Sequence, residues 1–415
     1  MKYIFFTMNS FAHEGGGTIR MTGIMNELAK RCNEVLFISN VTKEITLHES
    51  IEQIHIDLLF SATDKRIFQG LVAVSDTMLA NLHYRKLLKR LKEIYASLSI
   101  ENAHLIFCEY LDNSIGYWLK KNGVIPHYTN DLHGVATLEL KFQADQAKGF
   151  AEKLKFSTKY TFSQLLDKKV FNAANRLIFA SSAMKDFFEN LYPAVADKDN
   201  YILPYLLSTS SFNDEVDEGM RNQILQQYNI TPEKKVILFA GAFKKTGGVA
   251  DLIRAFNKLE SDHENALLLL IGDGYAMKDC QDLVEKNNLN DRVKFIGRTK
   301  YKELRTYQNI SDILVCPDKQ NVYSQLIIHV KYLDALLAQK IVINGKFKSV
   351  QEVNIDEKLS LNFEPSNIED LKNTLERALK NTEALKQKYM GSRAYALNNL
   401  TYESKIAELE KYSNP

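Results

Sequence analysis

Only four cysteines occur in 415 residues: Cys32, Cys108, Cys280 and Cys316. No two have the spacing of a zinc site or a redox dithiol. That excludes a disulfide-stapled fold and predicts reduced, buried thiols in a cytoplasmic protein. No uninterrupted apolar run approaches the roughly 20 residues of a membrane span. Met1 to Met8 leads straight into a polar glycine loop, so a signal-peptide pattern is lacking too. Strong charge of one sign is missing. The 53 basic and 51 acidic side chains leave a net +2, which argues against a nucleic-acid binder. No short internal repeat is present. Three further absences narrow the chemistry: GxGxxG dinucleotide spacing, the Lys-Ser/Thr of a P-loop, and an Asp-x-Asp element suited to Mg²⁺.

What is present is ordinary globular composition, 45% apolar and 25% charged. The length suits roughly two or three domains. The most informative stretch is 311–344. Ile313-Leu314-Val315 reads as a buried strand closed by Pro317. A polar loop follows over 318–325. A helix comes next, with Leu326, Val330, Leu333 and Leu337 at helical spacing, and then a strand at 340–343. Strand, loop, helix, strand is one βαβ unit of a parallel sheet. Lys331 and Asp334 share a helix face, which suits either an exposed i,i+3 pair or a ligand site at the carboxyl edge of the sheet.

The first half repeats this alternation. Strands are expected at 2–8, 34–39, 54–59, 105–108, 127–129, 176–180 and 202–203. The loop after the first strand contains Gly15, Gly16 and Gly17, followed by a helix with Arg20 near its start. A tight turn and an anion-binding helix start both fit those glycines. Residues 64–98 read as helical. Arg85, Lys86, Lys89, Arg90 and Lys92 alternate there with Leu87, Leu88, Leu91 and Ile94. That pattern suits a core-facing helix with a solvated basic face, or a peripheral membrane contact through 83–95. Glu109 ends one strand. Asn130, Asp131, Leu132, His133 and Gly134 follow another, where a polar cluster belongs at the ligand-facing edge. Residues 206–212 read as the interdomain linker.

The second half places strand 235–240 before the loop Gly241 to Gly248, which carries Lys244 and Lys245. A helix over 249–259 follows. Glycines, two cations and a helix start make a good place for phosphate. Strand 267–271 ends in Gly272-Asp273-Gly274, and strand 293–296 ends in Gly297-Arg298. Charged helices fill 368–400 and 403–411. The domains expected are 1–205 and 206–395, with 396–415 as a C-terminal helix returning to the first. The fold class is α/β: two Rossmann-like doubly wound domains facing across a cleft.

Five segments carry a family resemblance: ILFAGAFKKTGGVADLIRAF, LLLIGDG, VKFIGR, ELRTYQNISDILVCP and KYLDALLAQKIVI. Together they resemble the nucleotide-sugar-binding domain of family-4-type retaining glycosyltransferases of the GT-B fold. GGGTIRMTGIMNELAKR, DLHG and RLIFASSAMKDFF extend the likeness to the first half. The resemblance implies a donor site built from Gly16, Gly17, Gly241, Lys244, Lys245, Gly272, Gly297, Arg298, Ser324, Lys331 and Asp334. It implies catalytic roles for His133, Lys245 and Asp334. Asp334 stands where the family usually has a ribose-binding glutamate, and Leu326 where it often has a second. Ala242 and Gly247 replace a usual arginine and lysine, with Lys244 and Lys245 as substitutes.

The implied reaction moves a sugar from a nucleotide-sugar donor to a glycan or lipid-linked acceptor in cell-surface polysaccharide biosynthesis. It proceeds with retention and without a metal or other cofactor. Location in the cytoplasm, at the inner face of the membrane, would suit such an acceptor. A non-catalytic nucleotide-sugar-binding partner subunit and a nucleotide-sugar epimerase of the same fold are the alternatives.

Overall fold

The computed structural model describes residues 1–9, 16–41, 45–108, 110–147, 149–209 and 215–413, and all but the side chain of Tyr301 within them. Gly15, Glu109 and positions 210–212 of the expected linker lie outside the described residues. The chain divides into two compact units. Unit 1 is Met1–Tyr205 with Lys405–Pro415, and unit 2 is Leu206–Ser404.

Unit 1 contains β1 (Lys2–Thr7), β2 (Glu34–Ser39), β3 (Glu52–His55), β4 (Ala103–Phe107), β5 (Thr129–Leu132), β6 (Arg176–Phe179) and β7 (Asp199–Ile202). They form one parallel sheet in the order β3-β2-β1-β4-β5-β6-β7. Ile4 pairs with Leu36 on one side and Leu105 on the other, and all three are buried. Helices cover both faces of a parallel sheet, so its central strands read as apolar runs rather than alternating ones. Strand order reverses between β1 and β4, the position where such sheets open a crevice for ligands.

Unit 2 contains β8 (Lys235–Ala240), β9 (Ala266–Ile271), β10 (Val293–Gly297), β11 (Ile313–Cys316), β12 (Ile341–Gly345) and β13 (Leu361–Phe363). Their order is β10-β9-β8-β11-β12-β13, again all parallel. β9, with the sequence ALLLLI, is buried along its whole length. The core joins Ile237 and Phe239 of β8 to Leu268 and Leu270 of β9 and to Leu252 and Phe256 of the helix Val249–Asn257. Both units are thus α/β with a doubly wound parallel sheet.

Several boundaries differ from the sequence pattern. β5 begins at Thr129 rather than ending there, so Asn130 and Asp131 are strand residues. Their polarity reads as loop, yet both are buried. β3 ends at His55, and Leu59, expected in that strand, is fully exposed. The helix expected from Leu326 starts at Val330. Leu326 is buried without being helical, so its spacing from Val330 imitated a helix. The single helical stretch at 64–98 is three helices, Ala62–Ser75, Met78–His83 and Arg85–Ala96, broken first where Asp76 takes φ 60° and again at the non-helical Tyr84.

The helix Arg85–Ala96 buries Leu87, Leu88, Leu91, Ile94 and Tyr95. Its apolar face is therefore committed to the core, and its basic face meets solvent. Among the described residues, no helix is long and apolar enough to cross a membrane. The last helix, Tyr402–Ser413, holds unit 1 through Glu410, which accepts from Arg31 Nε at 2.7 Å, and through Tyr412, stacked 4.9 Å from Tyr201.

One buried acid stands without a cation among the described residues. Asp167, in the helix Phe150–Ala173, accepts hydrogen bonds from Thr137 Oγ1 at 2.6 Å and Tyr192 Oη at 3.4 Å. Burial raises its carboxyl most strongly, the hydroxyl contacts oppose this, and it settles at about 7. In the unfolded chain an aspartate ionises near pH ~3.9. Between these limits the folded state holds a proton that the unfolded state has released. Stability is therefore fully present below the unfolded value and falls as pH rises toward the folded one, at no more than about 1.4 kcal/mol per pH unit. Asp167→Asn is expected to flatten this decline in urea denaturation across the same range. A variant that keeps the wild-type slope would show that another group is responsible.

Candidate functional site

The carboxyl edge of the unit 2 sheet is a set of turns joined backbone to backbone. Gly241 N donates to Ile271 O at 3.0 Å, Phe243 N to Asp273 O at 2.9 Å, Gly272 N to Gly297 O at 2.8 Å, and Lys319 N to Thr246 O at 2.9 Å. Two glycines make these approaches sterically possible. A Cβ on Gly272, at φ +128°, would lie 1.9 Å from Gly241 O. A Cβ on Gly248, at φ +69°, would lie 1.7 Å from Pro317 O. The helix Val249–Asn257 starts directly after Gly248. Its first N–H groups lack intrahelical partners and so favour an anion.

Lys244 and Lys245 flank this helix start and are exposed. Neither ammonium has a carboxylate partner among the described residues, while Lys245 N donates to Tyr275 Oη at 3.2 Å. Arg298 is also exposed and sits 3.4 Å from Asp273.

Lys331 lies deeper. Its Nζ donates to Asp318 Oδ1 at 2.8 Å and stands 5.6 Å from the centre of the Phe239 ring. Its Cδ would lie 3.8 Å from a Cβ on Gly241. Asp334 instead faces Arg305, with 3.8 Å between Nη2 and Oδ1. The exposed i,i+3 pair is thus overturned, because both side chains are partly buried and each takes a partner off the helix. Burial works against both charges of the Lys331–Asp318 pair, but their attraction prevails. Asp318 is held below the usual carboxylate range and Lys331 above the usual ammonium value. Burial also lowers His329, only partly offset by Asp318, so its imidazole is neutral at neutral pH. His329 Nε2 lies 3.3 Å from Ser324 Oγ, and Ser324 N donates to Asn321 Oδ1 at 2.8 Å. The second oxygen of Asp318 is buried without a hydrogen-bond partner.

Unit 1 places a second polar cluster at the carboxyl end of β5. Arg20 grips Asp131 with two bonds of 2.7 Å, and its third nitrogen donates to Pro204 O at 2.8 Å. Asp131 Oδ2 also lies 3.2 Å from His133 Nδ1. Burial opposes ionisation of Asp131, but Arg20 and then His133 outweigh it and hold the carboxyl at about 2. An ionised Asp131 fixes the His133 tautomer, with the proton on Nδ1. Tyr205 Oη donates to His133 O at 3.1 Å and would lie 3.2 Å from a Cβ on Gly16. Gly16 and Gly17 form the first turn of the helix Gly16–Lys30, on which Arg20 sits.

The expected site residues thus fall into two groups. Gly16, Gly17 and His133 surround the Arg20–Asp131 pair in unit 1. Gly241, Lys244, Lys245, Gly272, Gly297, Arg298, Ser324, Lys331 and Asp334 occupy or adjoin the carboxyl edge of unit 2. Asp318, Arg305 and His329 join the second group through their contacts with Lys331, Asp334 and Ser324, and the sequence pattern did not point to them. One-sided spacing does not reveal a partner lying outside the helix.

Two parallel-sheet units of this kind define the GT-B fold, and solved structures of that fold superpose on the whole chain. A sucrose-phosphate synthase from Thermosynechococcus elongatus matches with a TM-score of 0.74 at 16% identity, covering 99% of this chain and 98% of that one. The Anabaena protein HepE, in complex with UDP, matches with a TM-score of 0.69 at 12% identity, covering 99% of this chain and 100% of that one. WaaG, a glycosyltransferase involved in lipopolysaccharide biosynthesis, matches with a TM-score of 0.65 at 17% identity and covers 100% of both chains.

A family match falls in unit 2: residues 220–396 match the family described as Glycosyl transferases group 1. A lipopolysaccharide 1,2-N-acetylglucosaminetransferase of Salmonella typhimurium is 24% identical over 217 residues, which is 50% of this chain and 54% of that protein. An N-acetyl-alpha-D-glucosaminyl L-malate synthase of Bacillus anthracis is 28% identical over 103 residues, 25% of each chain. The chain therefore spans about half the length of the Salmonella relative and a quarter of the Bacillus one.

The Lys331–Asp318 contact is testable by a double-mutant cycle. Asp318→Asn and Lys331→Met are each expected to cost about 3 kcal/mol in urea unfolding, because each leaves a mostly buried charge unpaired. The double variant should lose much less than the sum. Additive losses would mean that the two groups do not depend on each other.

Proposed function

We propose that the protein is a hexosyltransferase-type glycosyltransferase that moves a sugar from a nucleotide-sugar donor to a glycan or lipid-linked acceptor. The observation that supports this most is the unit 2 edge. Backbone N–H groups, a helix start, Lys331, Lys244 and Lys245 there offer positive charge to one diphosphate. In this reading the bond between the sugar C1 and the β-phosphate oxygen breaks while C1 gains the acceptor oxygen. The acceptor's proton passes to the departing phosphate. Cations held in place before reaction stabilise that leaving group more than they stabilise the bound donor. Their charge takes the part that Mg²⁺ plays elsewhere, so the reaction is proposed to need no metal.

Acceptor entry on the face from which the phosphate leaves gives retention of configuration. His133, held by Asp131 and Arg20, is assigned to binding the transferred sugar rather than to removing a proton. Asp334 is assigned to the donor's ribose, from a position braced by Arg305. A role in cell-surface polysaccharide synthesis at the inner face of the membrane completes the reading. The names of the lipopolysaccharide relatives favour it.

The first test is thermal shift against a panel of nucleotide sugars, because a ligand of the native state raises the melting temperature. At least one is expected to raise it, and Lys245→Ala is expected to weaken that donor about tenfold. Anomeric NMR of the transfer product should then show retention, and inversion would defeat the proposed chemistry. Donor binding without transfer to any acceptor would favour a non-catalytic partner subunit, which Leu326, Ala242 and Gly247 would suit.

A further inference from the structure

The helix Phe150–Ala173 buries only Ser163, Leu166, Asp167, Val170 and Phe171, all in its second half. Its first half packs no side chain fully into the core, yet it is not polar. Phe150 is 83% exposed and Leu154 56%, and Leu165 further along is 47% exposed. Phe150, Leu154 and Leu165 recur at helical spacing together with Thr158, Thr161 and Lys168, whose positions lie three and four residues apart. They share the face turned away from the buried set. Large apolar side chains on the solvent face of a helix need a reason, whereas singly scattered ones do not. Toward its end the stripe borders a cavity of about 490 Å³, lined by Leu165 and Lys168 together with Leu191, Pro193 and Ala194.

The charge on this helix points to the occupant. Four lysines, Lys153, Lys155, Lys159 and Lys168, accompany two acids, Glu152 and Asp167, while a fifth, Lys169, is turned to Val72 O and Asp76. Asp167 is buried, so Glu152 is the one acid meeting solvent. Lys155 and Lys159 stand over the Phe156 ring at 5.6 and 5.3 Å, and Lys141 stands over Tyr160 at 6.0 Å. A second copy of this face would bring lysines against lysines. A surface of apolar anchors among cations instead matches acyl chains beneath anionic headgroups.

We infer that the solvent-facing stripe of the helix Phe150–Ala173 docks on an anionic lipid bilayer. The helix Arg85–Ala96 is the less suitable surface, because its leucines are committed to the core. Docking goes beyond the glycosyltransfer reading and needs neither donor nor acceptor. It gives that reading a reason for a lipid-linked acceptor, since the hairpin formed with the helix Ala136–Gln146 follows His133 closely in the chain.

Flotation of the full chain tests this, using vesicles of phosphatidylglycerol with phosphatidylcholine and vesicles of phosphatidylcholine alone. The protein is expected to float with the anionic vesicles and to be released by salt. The pair Phe150→Ser with Leu154→Ser, and the set Lys153→Glu, Lys155→Glu and Lys159→Glu, should each lower vesicle affinity about tenfold or more. All these positions are exposed or only partly buried, so melting temperatures should stay at the wild-type value. Lys89→Glu with Lys92→Glu should leave flotation nearly unchanged. Failure to float, equal flotation of the stripe variants, or loss through the Lys89 and Lys92 variant alone would each overturn the inference. So would a dimer in sedimentation that Phe150→Ser disperses, which would assign the stripe to a second copy. A nucleotide-sugar thermal shift that persists in non-floating variants separates this outcome from failure of the glycosyltransfer reading.

Discussion

A parallel sheet forces every strand to be entered from the same edge, so every strand also ends at the same edge. In each unit this collects the loops of distant sequence segments along one line. Unit 2 uses that line most fully. Turns after β8, β9, β10 and β11 are tied to one another through backbone hydrogen bonds. Gly272 and Gly248 are the residues that allow the contact, because any side chain there would overlap a carbonyl. The site's shape therefore depends on backbone approach more than on any single side chain.

Buried charge is the second common theme. Arg20–Asp131 in unit 1 and Lys331–Asp318 in unit 2 are both ion pairs near the carboxyl ends of strands. Buried ion pairs seldom add stability over well-packed apolar residues. Their value here is geometric. Arg20 links the helix after β1 to β5 and to Pro204, and so sets the orientation of His133. Lys331 is anchored beside Gly241 rather than left to sample solvent. Lys244 and Lys245 form the opposite case, exposed cations with no carboxylate partner among the described residues.

Much of this was legible in the chain because the sheets are parallel. Apolar runs such as LLLLI and VILFA, each ended by glycine, marked strands and their ligand-facing turns together. The glycine loops and both lysines followed from the same pattern, whereas Asp334 stood out by its helix spacing and by the family resemblance. Where the reading failed, polarity and burial had parted company. Asn130 and Asp131 read as loop because a buried strand seldom carries them, and Arg20, distant in sequence, together with His133 makes Asp131 tolerable there. Leu326 read as helical because its spacing to Val330 is that of a helix, although its burial arises in an irregular segment. The partners of Lys331 and Asp334 were invisible for a similar reason. Periodicity reports which way a side chain points along its own element and says nothing about what meets it.

The joined turns also bear on how the protein reaches its native state. Positions 241, 272 and 297 are distant in the chain, yet their backbones meet through single hydrogen bonds and one forced close approach. Such contacts require β8, β9 and β10 to be aligned first, and aligning parallel strands closes long loops before any reward is gained. The joined edge is thus a late product of folding. Chains with nearly complete secondary structure would still lack it, so helix content would overstate how far the native fold had formed.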